Sequence, residues 1–261
     1  MHDPRVLKFV RKWLPRWLRR RLDPFHIKIE DQLQRFAASL PPGARLLDGG
    51  AGECPFRPWF KDTNYVGIDN AVGDHTWDYS NISAYADLSD LPFADGSFDA
   101  AINIVVLEHI AYPAKAMCEF RRVLKPGGRL FLAVPQIWEL HQQPHDFFRY
   151  TRCGLELILK DAGFEIEMLE PTGGYFELVG KISIDILHFF EHGAMKILWV
   201  LLAPIFGFII PLVCYYLDKL DKRKDFAVGL MTVASAAGEP RVAPYAPVTT
   251  TELVSSSHGQ H

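Results

Sequence analysis

The hydrophobic positions divide the chain into a short amphipathic head, an alternating central region and a long uncharged run. In the central region, short apolar runs alternate with stretches of helical periodicity, which is typical of a parallel sheet with connecting helices. The pattern predicts strands at residues 44–48, 65–69, 98–104, 128–135 and 164–170, and a last one within 226–236. It predicts helices at residues 27–40, 55–60, 113–124 and 151–162.

The uncharged run extends from Ile197 to Leu217, 21 residues that are long enough to cross a bilayer. Pro204, Gly207 and Pro211 interrupt it and favour a broken helical hairpin that dips into one leaflet and returns. A single span would place the last strand on the wrong side of the membrane. Its basic flank would also orient the central region outward. A very apolar core or dimer helix pair is the alternative.

The head of the chain, residues 1–24, is strongly basic, in contrast to the uncharged run. Residues 1–24 carry eight basic and two acidic side chains, while the whole chain has a net charge of −3. Residues 5–22 place apolar side chains, including Trp13 and Trp17, on one helical stripe opposite an arginine-rich face. This pattern predicts an amphipathic helix on a membrane surface, and packing on the protein's own body is the alternative.

Composition excludes several classes. The 261 residues are 49% apolar and 23% charged, as expected of a globular chain with a sizeable core. The net negative charge argues against a nucleic-acid-binding protein. Four scattered cysteines form no CxxC pair, so neither a zinc site nor a disulfide framework is indicated.

A glycine-rich turn gives the clearest chemical signal. Asp48, Gly49, Gly50 and Gly52 follow the first predicted strand, and glycines there let the backbone approach a ligand closely. Asp69 ends the next strand, where a carboxylate can accept both hydroxyls of a ribose. Together these residues predict a nucleoside-containing ligand at the carboxyl ends of the strands.

Four stretches in this order carry a resemblance to a known family: LLDGGAGEC (46–54), VGID (66–69), ADLSDLPFADGSFDAAINIVVLEHI (86–110) and EFRRVLKPGGRLFLAVP (119–135). The chain resembles the class I S-adenosylmethionine-dependent methyltransferases over about half of its length. The resemblance implies a Rossmann-like α/β fold with a seven-stranded, mostly parallel sheet and helices on both faces. The apolar helical stretch would then be an insertion before the last strand.

The resemblance also assigns cofactor contacts. Asp48 and the backbone of Gly49, Gly50 and Gly52 would hold the methionine part of S-adenosylmethionine. Asp69 would bind the ribose, Asp87 and Leu88 the adenine edge, and Asn103 would lie beside the sulfonium. Cys54 stands where the family usually has a third glycine, which could weaken cofactor binding. A dinucleotide is less favoured, because Glu53 would repel a pyrophosphate.

Catalytic and acceptor residues are expected after the predicted strands at residues 98–104 and 128–135. An oxygen acceptor needs a base, and His109, His141 and His145 are the candidates. Asp146, Arg149 and Tyr150 are expected to bind the acceptor, although Asp146 and Arg149 could equally pin the loop as a pair. No metal site is predicted, because no second acid lies near Glu108 and His109.

The sequence thus predicts a methyltransferase that acts, by O-methylation, on a hydrophobic or lipid-linked acceptor at the cytoplasmic face of a membrane. An integral membrane protein is the alternative location. A catalytically silent partner subunit at the membrane and an NAD(P)-dependent oxidoreductase are the alternative functions. No oligomeric state is predicted. The expected regions are a basic helix (1–24), a methyltransferase domain (25–174) with its closing strand (225–236), a membrane-associated insertion (175–224) and a disordered tail (237–261).

Overall fold

The computed structural model describes residues 14–73 and 76–238, and the predictions for residues 1–13 and 239–261 lie outside this part of the chain. A seven-stranded sheet forms the centre. Its strands are β1 (Arg45–Gly49), β2 (Asn64–Asp69), β3 (Ala84–Tyr85), β4 (Phe98–Ile104), β5 (Leu124–Pro135), β6 (Glu165–Pro171) and β7 (Gly229–Ser235).

The strand order is β3-β2-β1-β4-β5-β7-β6. All neighbouring pairs are parallel except those of β7, which runs antiparallel to β5 and β6. The predicted α/β class, the seven strands and the mostly parallel sheet are confirmed. Because parallel strands end at one edge, the segments that follow β1, β2 and β4 lie side by side.

The helices are α1 (Arg16–Leu22), α2 (Pro24–Ala38), α3 (Pro113–Val123), α4 (Arg152–Asp161), α5 (Tyr175–Ile186), α6 (Lys196–Pro204) and α7 (Ile210–Leu217). Two apolar clusters cover the two faces of the sheet. Helices α3 and α4 contribute Phe120 and Leu155 to one cluster, and α2 contributes Leu33 to the other. Thr151 caps α4 as predicted, since its hydroxyl accepts from the Gly154 N–H at 3.1 Å.

Two predicted boundaries differ from the structure. The helix expected at residues 55–60 is only a 3-10 turn, Arg57–Phe60, because Pro55 and Pro58 remove two backbone donors from so short a segment. Strand β5 begins at Leu124 rather than at residue 128, since Leu124 already pairs with Phe98 before the register shifts.

The apolar insertion differs more. Residues 193–220 form one continuous helical segment, in which the two helices α6 and α7 are joined by a π-helical turn, Ile205–Ile209. The predicted break at Pro204–Pro211 is therefore wrong. The π turn accommodates the prolines, which have no N–H to donate, without ending the helix. The chain reverses instead near Glu191–Gly193, so that α5 packs antiparallel along α7.

We call this antiparallel pair, residues 175–220, the helical hairpin. Its two arms approach closely, because a Cβ on Gly180 would lie 3.2 Å from the Pro211 Cα atom. The first arm begins where the second arm ends, since the Asp218 carboxylate accepts from the Gly174 and Glu177 N–H groups at 3.1 and 3.2 Å. The hairpin therefore projects from one point of the methyltransferase-like sheet and returns to it.

Candidate functional site

The carboxyl edge of the sheet brings the predicted ligand residues together. Asp48 of β1 pairs in register with Gly67 of β2 and with Ile102 of β4. The turn after β1 consequently lies between Asp69, at the end of β2, and Asn103, near the end of β4. This is the edge at which open α/β sheets bind their ligands.

Glycine is required at two positions of this turn. Gly50 has φ +83°, and a Cβ there would lie 2.4 Å from the Val106 side chain. Gly52 has φ +50°, and a Cβ there would lie 3.3 Å from the Trp77 ring. The Gly50 and Ala51 N–H groups both donate to the Ile68 carbonyl at 2.9 Å, which fixes the turn against β2. A ligand that binds over this turn would therefore have to fit around the Val106 and Trp77 side chains.

Asp69 is held at the end of β2 by backbone hydrogen bonds. One carboxylate oxygen accepts from the Gly52 N–H at 2.9 Å and the other from the Ala71 N–H at 2.7 Å. A carboxylate has about four lone-pair sites, so two remain for hydroxyl donors. The same bonds fix the Asp69 side chain to the glycine turn, and its contact with a ribose stays a prediction.

Asp48 lies beneath the turn rather than on its surface. Its side chain is buried, and the Tyr65 hydroxyl donates to it. Burial raises the pKa of Asp48 to about 7, although the Tyr65 hydrogen bond favours the charged form. Asp48 therefore supports the turn from below.

The remaining predicted contacts divide into buried supports and an exposed edge. The Asn103 amide donates to the Gly49 carbonyl at 2.8 Å, and Asn103 is fully buried. Leu88 is buried against Gly49, where a Cβ would lie 3.0 Å from its methyl group. Asp87 is exposed, and its carboxylate accepts from the Ser89 N–H at 2.7 Å. Asp87 is therefore accessible to a ligand at this edge.

Cys54 does not fill the site. Its φ is +56°, which costs a non-glycine residue about 1–2 kcal/mol. Its thiol lies 3.5 Å from the Asn81 carbonyl and is buried under the turn. The side chain therefore strains the backbone without crowding the space above Gly50 and Gly52.

The structure argues against a dinucleotide at this turn. Between β1 and β2, the described chain contains only the 3-10 turn and no α-helix. A pyrophosphate would lack the helix N-terminus that usually binds it, and it would meet the Glu53 carboxylate, which already accepts from the Asp78 N–H. A nucleoside with a cationic amino-acid end fits these residues better.

The loop after β5, residues 136–150, is held by internal contacts. Arg149 donates to the Asp146 carboxylate at 2.6 and 2.9 Å, which holds the pKa of Asp146 at about 2. The Tyr150 hydroxyl is buried and donates to the Leu107 carbonyl at 2.9 Å. The structure therefore gives all three predicted acceptor residues a part in shaping the loop, and direct contact with an acceptor stays a prediction.

The three candidate bases lie where this loop meets the end of β4. The His109 and His141 rings are 4.6 Å apart, and the His145 carbonyl accepts from His109 Nδ1 at 2.5 Å. Burial lowers the pKa of His109, which keeps its imidazole neutral. The structure thus brings the imidazoles of His109 and His141 together, with the backbone of His145 beside them, while the role of each histidine as a base stays a prediction.

Two residues at this edge were missed by the sequence analysis, and a third, Glu108, was considered there only as a metal ligand and set aside. Val106 and Trp77 flank the glycine turn, but both are apolar residues in loops without a distinguishing pattern. Glu108 is fully buried, and neither of its carboxylate oxygens has a hydrogen-bond partner among the described residues. Burial raises the pKa of Glu108 to about 8. Its adjacency to His109 was the one available signal.

Comparisons with known proteins agree with this geometry. A family model described as a methyltransferase domain matches residues 47–132. A probable S-adenosylmethionine-dependent methyltransferase of Mycolicibacterium smegmatis is 30% identical over 40% of this chain and 42% of its own length. A demethylmenaquinone methyltransferase of Renibacterium salmoninarum is 35% identical over 37% of this chain and 44% of its own length. The chain spans under half the length of the first curated relatives it matches.

Solved structures share the fold at low identity. The YcgJ protein of Bacillus subtilis aligns with a TM-score of 0.51 and 15% identity, over 82% of this chain and 99% of its own. The [4+2]-cyclase SpnF aligns with a TM-score of 0.51 and 22% identity, over 80% and 81% of the two chains. These likenesses show the fold alone, and the second belongs to a protein named for a different reaction.

Proposed function

We propose that this chain, which matches a methyltransferase domain model over residues 47–132, is a class I S-adenosylmethionine-dependent methyltransferase that transfers a methyl group from this cofactor to an oxygen of a hydrophobic or lipid-linked acceptor at a membrane surface. The matched relatives include, by name, demethylmenaquinone methyltransferases and a ubiquinone/menaquinone biosynthesis C-methyltransferase. These names support a small-molecule acceptor, and the location of the helical hairpin supports a membrane-resident one.

The cofactor would occupy the carboxyl edge of the sheet. The ribose hydroxyls would donate to Asp69, the adenine edge would lie by Asp87 and Leu88, and the methionine end would lie over the glycine turn. The two supports beneath the turn, Asp48 and Asn103, would hold its shape. S-Adenosylmethionine supplies an electrophilic methyl group on a sulfonium, and the chain's residues bind it and exclude water.

The loop after β5, residues 136–150, is called the acceptor loop below. Its contact with the hairpin is the observation that carries the acceptor proposal. Lys181 of α5 donates to the Glu139 carboxylate at 2.5 Å, and its ammonium lies 4.4 Å from the Trp138 ring centre. Trp138 in turn lies 6.5 Å from the His141 ring. The loop that carries the candidate bases is therefore joined to the first arm of the apolar hairpin. A hydrophobic acceptor bound beside the hairpin would enter next to these histidines.

The far end of the hairpin has the surface of a membrane-inserted segment. The most apolar 18-residue window of the segment 193–220 has a mean hydropathy of 2.6, and only 11% of that window is buried. The most exposed side chains cluster near the reversal of the chain: Phe189 is 82% exposed, Ile197 72% and Leu201 66%. Soluble monomers rarely expose so continuous an apolar surface. A lipid bilayer is the partner whose chemistry matches this uncharged face.

The charges of the first arm limit how deeply the hairpin can insert. Glu177, Lys181 and Asp185 lie on α5 near the sheet, and Lys181 is paired with both Glu139 and Asp185. These groups, and Glu191 and Lys196 at the reversal of the chain, would be costly in hydrocarbon, so we infer that the hairpin lies along one leaflet with the exposed apolar side chains of α6 and α7 inserted. The enzyme would then be monotopic, with its sheet on the cytoplasmic side.

The described end of the head contributes less to membrane binding than its charge suggests. Arg19 of α1 pairs with Glu30 of α2 at 2.7 Å, and Arg16 and Arg20 pair with Asp31. These arginines therefore have acidic partners within the chain. We accordingly assign the main membrane contact to the hairpin, and residues 1–13 to a supporting one.

Methyl transfer from the sulfonium is an in-line displacement. The acceptor oxygen would form a bond to the methyl carbon as the carbon–sulfur bond breaks, with S-adenosylhomocysteine as the leaving group. The acceptor hydroxyl loses its proton, which an imidazole of His109, His141 or His145 would take up. A carbon acceptor would also lose a proton, so product analysis is needed to identify the methylated atom.

The full-length protein incubated with membranes and methyl-labelled S-adenosylmethionine tests this function. We expect label in the organic-soluble fraction, absent with the Asp69→Ala variant and present with Asp62→Ala, which removes an exposed carboxylate. Mass spectrometry of the labelled product should locate the methyl group on oxygen. Label confined to the aqueous or protein fraction would refute a lipid-soluble acceptor.

The alternative functions predict different results. A silent partner subunit would show no label and would fail to bind S-adenosylhomocysteine. An oxidoreductase would instead be protected from thermal unfolding by NAD(P). Cofactor binding without label from any membrane fraction would also count against the proposed acceptor.

Flotation with lipid vesicles tests the membrane contact. Leu201→Asp places a charge at the exposed far end of the hairpin, whereas Leu157→Asp changes an equally exposed leucine on α4, far along the chain from it. A charge in hydrocarbon costs about 2.5–3.5 kcal/mol, so we expect at least about a tenfold loss of vesicle affinity for Leu201→Asp alone. Equal flotation of both variants would contradict insertion of the hairpin.

A further inference from the structure

A cluster of three side chains beside the acceptor loop contains buried polar atoms that lack hydrogen-bond partners among the described residues. Ligand atoms of Glu108, His109 and His141 all lie within 4.8 Å of one another. Glu108 is fully buried, and both of its oxygens and the Nε2 atom of His109 lack a hydrogen-bond partner among the described residues. Buried polar atoms without partners are costly, so such a group indicates a missing partner.

The hydrogen bonds at the other ring nitrogens determine what that partner is. His109 Nδ1 faces the His145 carbonyl at 2.5 Å, and His141 Nδ1 faces the Glu139 carbonyl at 3.1 Å. A carbonyl can only accept, so each Nδ1 carries the ring proton in the neutral imidazole. Both Nε2 atoms then present lone pairs, and they lie 3.6 and 3.9 Å from the same Glu108 oxygen. Three acceptors converge on one point and need a cation between them.

The distances favour a metal ion over a shared proton. Hydrogen bonds between such atoms are about 2.7–3.2 Å long. A tetrahedral ion with bonds of about 2.1 Å separates its ligand atoms by roughly 3.4 Å. The separations of 3.6 and 3.9 Å exceed the first range and lie within a few tenths of an ångström of the second. Backbone carbonyls that fix the outer nitrogens are also the usual support of metal-bound histidines.

We propose that Glu108, His109 and His141 bind one divalent transition-metal ion, with zinc as the best match to two imidazoles and one carboxylate. The site joins the end of β4 to the acceptor loop, because His141 lies on that loop and Glu108 accepts from the Phe147 and Phe148 N–H groups through its carbonyl. Three protein ligands leave the fourth position of a tetrahedral ion open. Because His109 and His141 would be bound to the ion, His145 is the candidate base that remains available to take up a proton. The inference goes beyond the proposed methyl transfer and does not depend on it.

Metal analysis of the full-length protein, purified without chelators, tests the proposal. We expect about one zinc ion per chain in the wild type and less than about a tenth of that in Glu108→Gln and His141→Ala. His188→Ala is the matched control, because it removes an imidazole that pairs with Glu191 on the hairpin. After removal of bound metal, titration with Zn²⁺ against a chromophoric chelator should show at least about a 100-fold loss of affinity for the two site variants.

Two further readouts separate metal loss from unfolding. Far-UV circular dichroism should be the same for all variants, and Co²⁺ added to the stripped wild type should give the absorption bands of a tetrahedral site, absent in His141→Ala. Zn²⁺ should also raise the unfolding temperature of the wild type and of His188→Ala only. A wild type that binds no Zn²⁺, or a His141→Ala variant that binds it equally well, would overturn the proposal, whatever the result for methyl transfer.

Discussion

Replacing Gly50 by alanine should disrupt the cofactor turn through a contact that can be separated from backbone strain. Gly50 has φ +83°, and the new Cβ would lie 2.4 Å from the Val106 side chain. Gly43 provides the matched control, since it has φ +78° and no atom within 4 Å of a built Cβ. The two substitutions share the cost of a left-handed alanine, and only Gly50→Ala adds the overlap.

The magnitudes follow from these two terms. Alanine in the left-handed region costs about 1–2 kcal/mol, which is the loss expected for Gly43→Ala. Forcing a methyl group against a packed side chain costs about 1–3 kcal/mol more, so Gly50→Ala should lose about 2–5 kcal/mol in all. Displacement of the turn should also weaken cofactor binding by at least about tenfold, which corresponds to about 1.4 kcal/mol.

Urea unfolding and titration with S-adenosylhomocysteine measure the two effects. The double variant Gly50→Ala/Val106→Ala should be more stable than the sum of the single changes predicts, because removing the Val106 methyl groups relieves the overlap. Equal unfolding midpoints for Gly50→Ala and Gly43→Ala, with unchanged affinity for S-adenosylhomocysteine, would refute the reasoning about the turn.

Three further changes test other parts of the account by urea unfolding. The pKa of Asp48 is raised to about 7 from 3.8, so the folded form binds a proton more tightly, and the free energy of unfolding should fall as pH rises between these values. Asp48→Asn should flatten this dependence of stability on pH. An unchanged dependence would contradict the role of Asp48. The pKa of Asp146 is lowered to about 2, so stability should be lost as pH falls from 3.8 towards 2, and Asp146→Asn should lack this loss. Thr151→Ala should cost about 1 kcal/mol and Thr151→Ser much less, whereas equal losses would exclude the cap.

Much of the central region could be predicted because its elements are locally determined. The apolar runs at β1, β2 and β4 and the cap at Thr151 depend on neighbouring residues, so periodicity and capping rules located them. The two-residue strand β3 has no such periodicity, and it forms only because Ile68 and Asp69 of β2 pair with it. Short elements of this kind depend on the assembled sheet.

The hairpin and the metal-ligand cluster required contacts between distant residues. Proline positions predicted a break within 204–211, but the helix continues through a π turn, and Pro211 packs against Gly180 of the other arm. The sequence showed Glu108 and His109 together, yet His141 joins them only when the loop after β5 folds back on the end of β4. Neither the contact of Gly180 with Pro211 nor that of His141 with Glu108 and His109 can be recognised from the spacing of residues along the chain.

The ribose carboxylate offers the most direct test of the central claim, that this chain binds S-adenosylmethionine at the carboxyl edge of its sheet. Calorimetric titration of the full-length protein with S-adenosylhomocysteine should show one saturable site. Asp69→Ala removes the acceptor of two ribose hydroxyls and should weaken binding by about 10- to 100-fold, while Asp62→Ala should leave it unchanged. No saturable binding to the wild type, or equal affinity in Asp69→Ala, would contradict the account.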